Sequence, residues 1–333
     1  MRTYYITGIS GFLGQAILKE IIKEKEYKVF GLVLENDKYI PDLVKIGVNI
    51  IHGNILNEKD VENFLSQKGE GERITLHIAG RISTVKRGDK LTTLINVDGT
   101  KNVVNVANKY HHDKLIYVAS TDALDAKKYD ELVFEQDRFH LEKVKGVYAK
   151  SKVIAANYVL DNAIMKTVLV CPSAIYGPED KFNSPINTAI NMYIKGKMPG
   201  YVKGGYDIVD VRDVARAMYQ LIDKGEDKNM YIVSGHHVSV KDIFIECGKV
   251  INKKPPRLKI WSPLVYIASP FIELWAKIRH KKPLFSSFSM YCLSLSSNFS
   301  KKKINQSINY QPTPLEVSIR DTIMFYQKET VRN

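Results

Sequence analysis

Short apolar runs and amphipathic segments alternate along the first half of the chain. Residues 3–7, 27–34 and 48–51 are short runs rich in β-branched and aromatic side chains, which is typical of buried strands. Residues 12–24 and 58–65 instead carry apolar side chains at the spacing of one helix face. The alternation continues with predicted strands at 73–79, 114–120 and 166–173 and predicted helices at 91–110 and 146–163.

This alternation predicts an α/β fold. Strands separated by helices form βαβ units and a parallel sheet, and strands without polar alternation suit a sheet covered on both faces. We therefore expect a doubly wound parallel sheet of the Rossmann type over residues 1–175. After residue 175, Pro, Gly and aromatic residues become frequent, which predicts a smaller, mainly helical C-terminal substrate lobe over 176–333. Two strand-like pieces within 206–235 are expected to return to the main sheet.

Composition and charge narrow the class of protein. Apolar residues make up 44% of the chain and aromatic residues 10%, which is enough for a packed core and argues against intrinsic disorder. The net charge is +13, but the lysines are scattered and form no basic block interleaved with aromatics, so we expect no nucleic-acid partner. Three distant cysteines fit neither a disulfide framework nor a metal site. With no signal peptide in view, a cytoplasmic location is expected.

The most apolar late segment is IWSPLVYIASPFIELWAKI, at residues 260–278. It contains Pro263, Pro270, Glu273 and Lys277, which argue against a transmembrane helix of about 20 apolar residues. Peripheral contact with a membrane and closure over an apolar substrate both stay open for this segment.

Three glycines follow the first predicted strand and open the first predicted helix. Gly8 allows a tight turn, Gly11 lets the backbone approach a pyrophosphate, and Gly14 lets the helix pack closely on the strand. The helix N-terminus would then hold the pyrophosphate through free N–H groups and the helix dipole. The context of strand, glycine turn and helix predicts a dinucleotide site.

Two later loops are positioned to contact the adenosine half of that dinucleotide. Glu35 follows the second strand, where a carboxylate would accept hydrogen bonds from the ribose, and no Arg stands nearby to meet a 2′-phosphate. NAD is therefore favoured over NADP, although Glu35 could equally be an exposed loop residue. After the third strand, Asn54 could accept from the adenine amino group and Ile55 could pack on the ring.

Candidate catalytic residues lie in YVASTDAL and VYAKSK. Tyr148 and Lys152 stand four apart on a predicted helix and share one face, where an ammonium favours the phenolate form of a tyrosine. Ser120 and Thr121 end a strand at the carboxyl edge of the sheet, where ligands of open α/β folds bind. A hydroxyl, a phenol and a lysine suit hydride chemistry at a carbinol carbon.

These motifs occur together in the order of a known family. The matching pieces are TGISGFLG, HIAG, NVDGT, YVAST, YAKSK, PSAIYGP and VDVRDVARAM. With them the chain resembles the extended short-chain dehydrogenase/reductases of the NAD-dependent epimerase/dehydratase superfamily over nearly its full length. It looks most similar to the branch of the dihydroflavonol reductases and 3β-hydroxysteroid dehydrogenases.

The resemblance implies a role for individual residues. It implies Thr121 as the catalytic hydroxyl, with Ser120 as the substitute, Tyr148 as acid/base, and Lys152 as its partner and as a ligand of the nicotinamide ribose. It further implies cofactor contacts from Gly8, Gly11, Phe12, Leu13, Asn54, Ile55, Ala79 and Pro172. The chain departs from the family where Asn54 replaces a usual Asp and Cys171 a frequent Arg.

Three classes of function share this machinery. An NAD(P)-dependent reductase or dehydrogenase is favoured, because Ser173 and Ala174 stand where sugar-nucleotide enzymes of the family often carry Phe-Asn. A nucleotide-sugar epimerase or dehydratase using bound NAD is the alternative. The third class is a catalytically silent dinucleotide sensor or scaffold. Such a protein is expected to lack the tyrosine or the lysine, but Tyr148 and Lys152 are both present. Late aromatics suggest a small apolar substrate: Trp261, Tyr266, Phe271, Trp275, Phe285 and Phe288. Substrate identity, direction and oligomeric state stay open, with a homodimer possible.

Overall fold

A computed structural model of the chain describes residues 1–83, 88–125, 131–182, 184–261, 265, 287–295 and 298–332. Its strands in these ranges are β1 Arg2–Thr7, β2 Tyr27–Val33, β3 Asn49–His52, β4 Glu72–His77, β5 Lys114–Val118, β6 Leu132–Val133, β7 Lys166–Pro172, β8 Ala174–Tyr176, β9 Tyr201–Val202, β10 Gly205–Asp210, β11 Asn229–Val233, β12 His236–Ser239, β13 Lys259–Ile260 and β14 Asn298–Phe299. Its α-helices are α1 Phe12–Ile21, α2 Ile40–Lys45, α3 Glu58–Leu65, α4 Lys90–Thr93, α5 Gly99–Lys109, α6 Val147–Asn162, α7 Pro185–Ile194, α8 Val211–Lys224, α9 Val240–Ile251, α10 Ser287–Leu295, α11 Lys302–Ile308 and α12 Leu315–Arg332. Of the helices so described, none is both long and apolar enough to cross a membrane.

Seven strands form one parallel sheet in the order β11-β7-β5-β4-β1-β2-β3. The chain winds from β1 through β2 to β3 at one edge. It then returns to β4 on the other side of β1 and continues outwards through β5, β7 and β11. This is the predicted doubly wound Rossmann arrangement, and the reversal beside β1 opens a crevice at the carboxyl ends of β1 and β4.

Helices cover both faces of this sheet. On β1, Tyr4 and Ile6 point into one apolar cluster, which also contains side chains of α1, α8 and α11. Between them, Tyr5 points the other way, into a second cluster with side chains of α3, α5 and α6. All three side chains are fully buried. Two buried faces explain why the strands lack the polar alternation of a half-exposed sheet.

The helix predicted at 91–110 is interrupted. Between α4 and α5 the chain forms a π-helical turn at Leu94–Asp98. The Asn96 side chain in this turn is buried and bonds the backbone of Arg81 and the hydroxyl of Ser151. Such wider turns often mark functional sites. The contacts reach parts of the chain that are distant in sequence, so apolar spacing within 91–110 does not reveal them.

After β7 the chain builds a second, smaller sheet. β10 lies between β12, to which it is antiparallel, and β8, to which it is parallel. Residues 206–235 therefore divide between two sheets: β11 adds to the main sheet beside β7, whereas β10 does not return to it, contrary to expectation. Short strands take their partners from tertiary packing. Here Ile208 of β10 packs with Tyr176, Phe244 and apolar residues of α7 and α12.

Candidate active site

The glycine turn joins β1 to α1 at the crevice. Gly8 has φ +73°, and a Cβ atom there would lie 2.8 Å from the backbone N of Ala79, so this position requires glycine. A Cβ atom on Gly14 would collide with the Gly8 carbonyl oxygen and lie 2.7 Å from Cα of Ile9. The Gly8 carbonyl also accepts a hydrogen bond from the N–H of Gly11 over 3.0 Å. Gly8 and Gly14 thus shape the turn itself.

Gly11 has a different role, because it leaves the start of α1 uncovered. It is the N-cap residue and offers no side-chain cap, so the first N–H groups of the helix, at Phe12 and Leu13, lack intrahelical partners. Within 4 Å, a Cβ atom at Gly11 would meet only the Gly8 carbonyl oxygen, at 3.1 Å. Free N–H groups, a helix dipole and the absence of a side chain at Gly11 fit a dinucleotide pyrophosphate.

The adenosine side of the crevice holds the next three predicted residues. Glu35 is exposed two residues beyond β2. Asn54 is also exposed, but its side-chain oxygen already accepts from the N–H of Leu56 over 3.0 Å, so this oxygen holds its own loop. Ile55 is buried against Gly99, where a Cβ atom would come within 2.6 Å of Ile55 Cδ1. The adenine contacts of Asn54 and Ile55 stay predictions.

Tyr148 and Lys152 lie on the first two turns of α6 and are 9% and 4% exposed. The Lys152 Nζ donates to the carbonyl oxygen of Val118, at the end of β5, over 2.7 Å. It also stands 5.2 Å from the ring centre of Tyr117. Burial lowers the pKa of Lys152 to about 8. The end of β5 therefore holds the Lys152 ammonium, and the spacing along α6 places it on the same helix face as Tyr148.

Two groups that follow β5 act on Tyr148. Burial and the Asp122 carboxylate raise the pKa of Tyr148, and the Ser120 hydroxyl lowers it. Thr121 is buried and begins the short 3₁₀ turn Thr121–Ala123 that follows β5. Both hydroxyls thus lie at the carboxyl edge of the sheet, and the assignment of Thr121 as the catalytic one stays a prediction.

Asn96 holds α6, a role that the sequence did not suggest. Its side-chain nitrogen donates to Ser151 Oγ over 2.9 Å and to the Arg81 carbonyl over 3.0 Å, and its oxygen accepts from the Arg81 N–H over 2.8 Å. Ser151 in turn donates to the backbone carbonyl of Tyr148 over 2.7 Å. The loop after β4 is therefore joined to the turn of α6 that carries Tyr148. The sequence signal for this role is the NVDGT motif, which begins with Asn96.

A row of hydrogen bonds runs beneath the cofactor crevice. The Ala79 N–H donates to Thr7 Oγ1 over 3.3 Å, and that oxygen lies 2.7 Å from His77 Nδ1. On the other side, His77 Nε2 lies 2.9 Å from Thr100 Oγ1, which donates to the Asn96 carbonyl over 2.7 Å. Burial, followed by the Lys152 charge, lowers the pKa of His77 to about 3. The motifs TGISGFLG, HIAG and NVDGT together supply this row.

A helix from the C-terminal part of the chain packs near the segment that leads into α6. α10 packs beside β9, where Leu293 and Val202 share an apolar cluster. It also reaches the residues before α6, since the Lys145 Nζ stands 4.9 Å from the ring centre of Tyr291. α10 therefore contacts both β9 and the segment before α6.

Other predicted residues are less informative. Pro172 ends β7 at the carboxyl edge, paired with Val233 of β11. Among the late aromatics, Trp261 is 69% exposed. Four others lie outside the described residues: Tyr266, Phe271, Trp275 and Phe285. For Phe288 the structure describes the backbone and not the side chain.

Comparison with known proteins agrees with this arrangement. The model of the NAD dependent epimerase/dehydratase family matches residues 4–234. A Synechocystis protein that carries the name dihydroflavonol 4-reductase is 25% identical, over 97% of this chain and 94% of its own. The 2-alkyl-3-oxoalkanoate reductase of Shewanella oneidensis is also 25% identical, over 92% of this chain and 81% of its own.

A solved structure shows the same fold at lower identity. The UDP-glucose 4-epimerase of Thermotoga maritima, in complex with UDP-glucose, has a TM-score of 0.76 and 16% identity. The match covers 99% of this chain and all of the epimerase. The family match spans more than half of the sequence and includes the glycine turn and the Tyr-Lys pair of α6. The chain belongs to the NAD dependent epimerase/dehydratase family.

Proposed function

We propose that the chain is an NAD(P)-dependent dehydrogenase or reductase of the extended short-chain type, acting on a carbonyl or alcohol of a small, apolar substrate. The observation that carries this proposal is the buried pair of Tyr148 and Lys152 on α6, with the Lys152 ammonium bonded to the end of the strand that leads into Ser120 and Thr121. The names of the Synechocystis and Shewanella relatives, both reductases, support it.

The chain's own residues supply proton transfer and orientation. Bound nicotinamide would supply or accept the hydride. During reduction Tyr148 donates its phenolic proton to the carbonyl oxygen, and during oxidation it takes the proton back. Ser120 or Thr121 donates a hydrogen bond to the same oxygen. Lys152 has three N–H donors, so it can keep its bond to Val118 and still bind a ribose hydroxyl.

The cofactor contacts follow from the crevice. Gly11, Phe12 and Leu13 hold the pyrophosphate, and Glu35 accepts from the adenosine ribose. A 2′-phosphate beside the Glu35 carboxylate would meet like charge, so NAD is preferred to NADP. Ala79 and Pro172 border the nicotinamide half.

A nucleotide-sugar epimerase or dehydratase using bound NAD is the second candidate. The structural likeness to the Thermotoga epimerase supports it at the level of the fold alone. The two candidates differ in one observable, because an epimerase removes and returns the hydride and leaves no net change in the cofactor.

Assembly and location extend the proposal. Leu94 and Ile154 are exposed apolar side chains on helical segments that pack together, and they support a homodimer. Cys171, Cys247 and Cys292 are free, which supports a reducing, cytoplasmic location. Peripheral membrane contact by residues 260–278 stays a prediction, since most of this segment is outside the described residues.

The test is to follow reduced nicotinamide absorbance while the purified protein acts on a panel of ketones and secondary alcohols. We expect a change that is stoichiometric with substrate and is lost in Tyr148→Phe. Conversion of UDP-glucose with no net absorbance change would replace this proposal with the epimerase.

A further inference from the structure

The ammonium of Lys152 is buried without a carboxylate partner. The residue is 4% exposed, and among the residues that the structure describes it forms no ion pair. Its hydrogen bond to the Val118 carbonyl oxygen engages one of its three N–H groups. A buried ammonium is costly unless other groups stabilise its charge. The surroundings of Lys152 should therefore contain a group that does so.

Three titratable groups on neighbouring elements carry no negative charge at pH 7. Cys171 on β7 raises the pKa of Lys152, but burial raises the pKa of the Cys171 thiol itself to about 12, so the thiol is neutral. Burial lowers the pKa of His77 on β4 to about 3, which leaves the imidazole neutral. Burial raises the pKa of Tyr148 on α6 and keeps it a phenol. None of the three is an anion that stabilises the ammonium.

The aromatic ring of Tyr117 supplies this stabilisation. Tyr117 precedes Val118 on β5, is 1% exposed, and lies under Lys152 Nζ, which stands 5.2 Å from the ring centre. The negative face of a ring attracts an ammonium, most strongly where both groups are out of water. The His77 ring, with its centre 5.6 Å from that of Tyr117, packs against the tyrosine and helps to keep it in place.

Gly80 brings a third element close to the ammonium. A Cβ atom at Gly80 would lie 3.2 Å from Lys152 Nζ and 3.4 Å from Asn96 Oδ1, so the backbone after β4 comes near both groups. The Val118 carbonyl, the Tyr117 ring and this backbone therefore restrict where the ammonium can lie. An N–H group of Lys152 is still left for a ribose hydroxyl.

We infer that Tyr117 is a positioning residue whose ring face holds the Lys152 ammonium where it can bind the nicotinamide ribose and act on Tyr148. The inference rests on the proposed function for the roles of Lys152 and Tyr148, whereas the contact between ring and ammonium does not depend on a substrate. An apolar side chain without a ring should therefore disturb Lys152, and another aromatic ring should not.

The first experiment weakens the negative face of the ring and conserves its shape. Tyr117→Phe is compared with proteins that carry phenylalanine with one, two or three ring fluorines at position 117, each with Lys152 intact and with Lys152→Met. Urea unfolding at about pH 6.5, where Lys152 is protonated, measures the equilibrium constant of unfolding. We expect this constant to rise with each fluorine, by about tenfold in total, only where Lys152 is present.

Phe64 provides the matched control. Its ring is fully buried in the same apolar cluster as Tyr117. The same fluorinated residues at position 64 should change the equilibrium constant of unfolding equally with Lys152 and with Lys152→Met, because the difference between the two backgrounds isolates the contact between ring and ammonium.

The second experiment tests whether the contact matters for proton transfer. The pH dependence of kcat/KM for oxidation of an alcohol substrate is measured in Tyr117→Phe and Tyr117→Leu. Tyr117→Phe should keep the midpoint of the unmodified protein. Tyr117→Leu should move the midpoint up by about one pH unit, because the ammonium that favours the phenolate form of Tyr148 is less well held.

Each other outcome has a defined meaning. Fluorine effects at position 117 that are equal with and without Lys152 would show that the ring only fills space, which would overturn the inference and leave the proposed function standing. An unmoved midpoint in a folded Tyr117→Leu would overturn it as well. If Tyr117→Leu does not fold, the fluorinated series decides. Absence of turnover with every ketone and alcohol would contradict the proposed function, and the unfolding experiment, which needs no substrate, would still test the contact.

Discussion

Lys152 Nζ and the carbonyl oxygen of Val118 are joined by a hydrogen bond of 2.7 Å that ties α6 to the end of β5. The helical spacing in the sequence predicts that Lys152 shares a face with Tyr148, and it does. The bond to Val118 shows that the sheet holds the ammonium without any contact from a cofactor. Its position is thus set by the fold.

This burial predicts a pH-dependent contribution of Lys152 to stability. The folded-state pKa of about 8 is below the ordinary 10.5. The cost of burying the charge is therefore complete below about pH 8 and is relieved as pH rises towards about 10.5. Lys152→Met does not bear this cost. The difference in free energy of unfolding between Lys152→Met and the unmodified protein should therefore shift by about 3 kcal/mol in favour of the unmodified protein between about pH 7 and pH 10.5. Urea unfolding at a series of pH values measures this, and a difference independent of pH would contradict it.

The proton-transfer assignment predicts separate effects for three hydroxyls. Tyr148→Phe should lower kcat by about 10²–10⁴-fold and leave NADH affinity nearly unchanged, because general acid–base catalysis is lost. Ser120→Ala and Thr121→Ala should be compared in the same assay. The variant with the larger loss in kcat identifies the hydroxyl that holds the substrate oxygen. Full activity of Tyr148→Phe on a true substrate would remove the whole assignment.

The two kinds of glycine in the first turn should fail in different ways. A Cβ atom in Gly11→Ala meets the Gly8 carbonyl oxygen at 3.1 Å, so the protein should fold after a small local adjustment but bind NADH at least about tenfold more weakly. Gly14→Ala collides with backbone atoms and should lower the free energy of unfolding by about 1–3 kcal/mol or more. Calorimetry and urea unfolding separate the two effects. Unchanged NADH and NADPH affinity in Gly11→Ala would argue against the pyrophosphate site.

Cofactor choice should depend on the charge of Glu35. Glu35→Gln removes the repulsion of a 2′-phosphate and should improve NADPH affinity by about tenfold relative to NADH. Asp42→Asn, which removes an exposed carboxylate on α2, is the matched control and should change neither affinity. Tighter binding of NADPH than NADH by the unmodified protein would show that Glu35 does not discriminate.

Local patterns predicted the elements better than their connections. The Rossmann sheet follows from strand and helix periods, and the position of Tyr148 and Lys152 on one face follows from spacing within a single helix. The bonds of Asn96 to Ser151, 55 residues away, follow from neither. Asn96 lies in the π turn at Leu94–Asp98. The sequence pattern predicts one continuous helix there and gives no sign of that turn.

Pairing of short strands shows the same limit. The strand character of 206–211 was evident, but its place beside β8 depends on the packing of Ile208 with Tyr176 and Phe244. Likewise, Ser120 and Thr121 are adjacent in sequence, and only the folded backbone determines that the Ser120 hydroxyl is the one that lowers the pKa of Tyr148.

The row of hydrogen bonds through His77 has a fixed polarity. A backbone N–H stands at one end and a backbone carbonyl at the other, so every hydroxyl along it passes its single hydrogen in the same sense. Thr100 gives its hydrogen to the Asn96 carbonyl, so the imidazole must present N–H at Nε2 and a lone pair at Nδ1. A second proton on His77 would leave the Thr7 hydroxyl hydrogen without its acceptor. Changes of pH around neutrality will therefore act on the lysine of this site and leave its histidine silent.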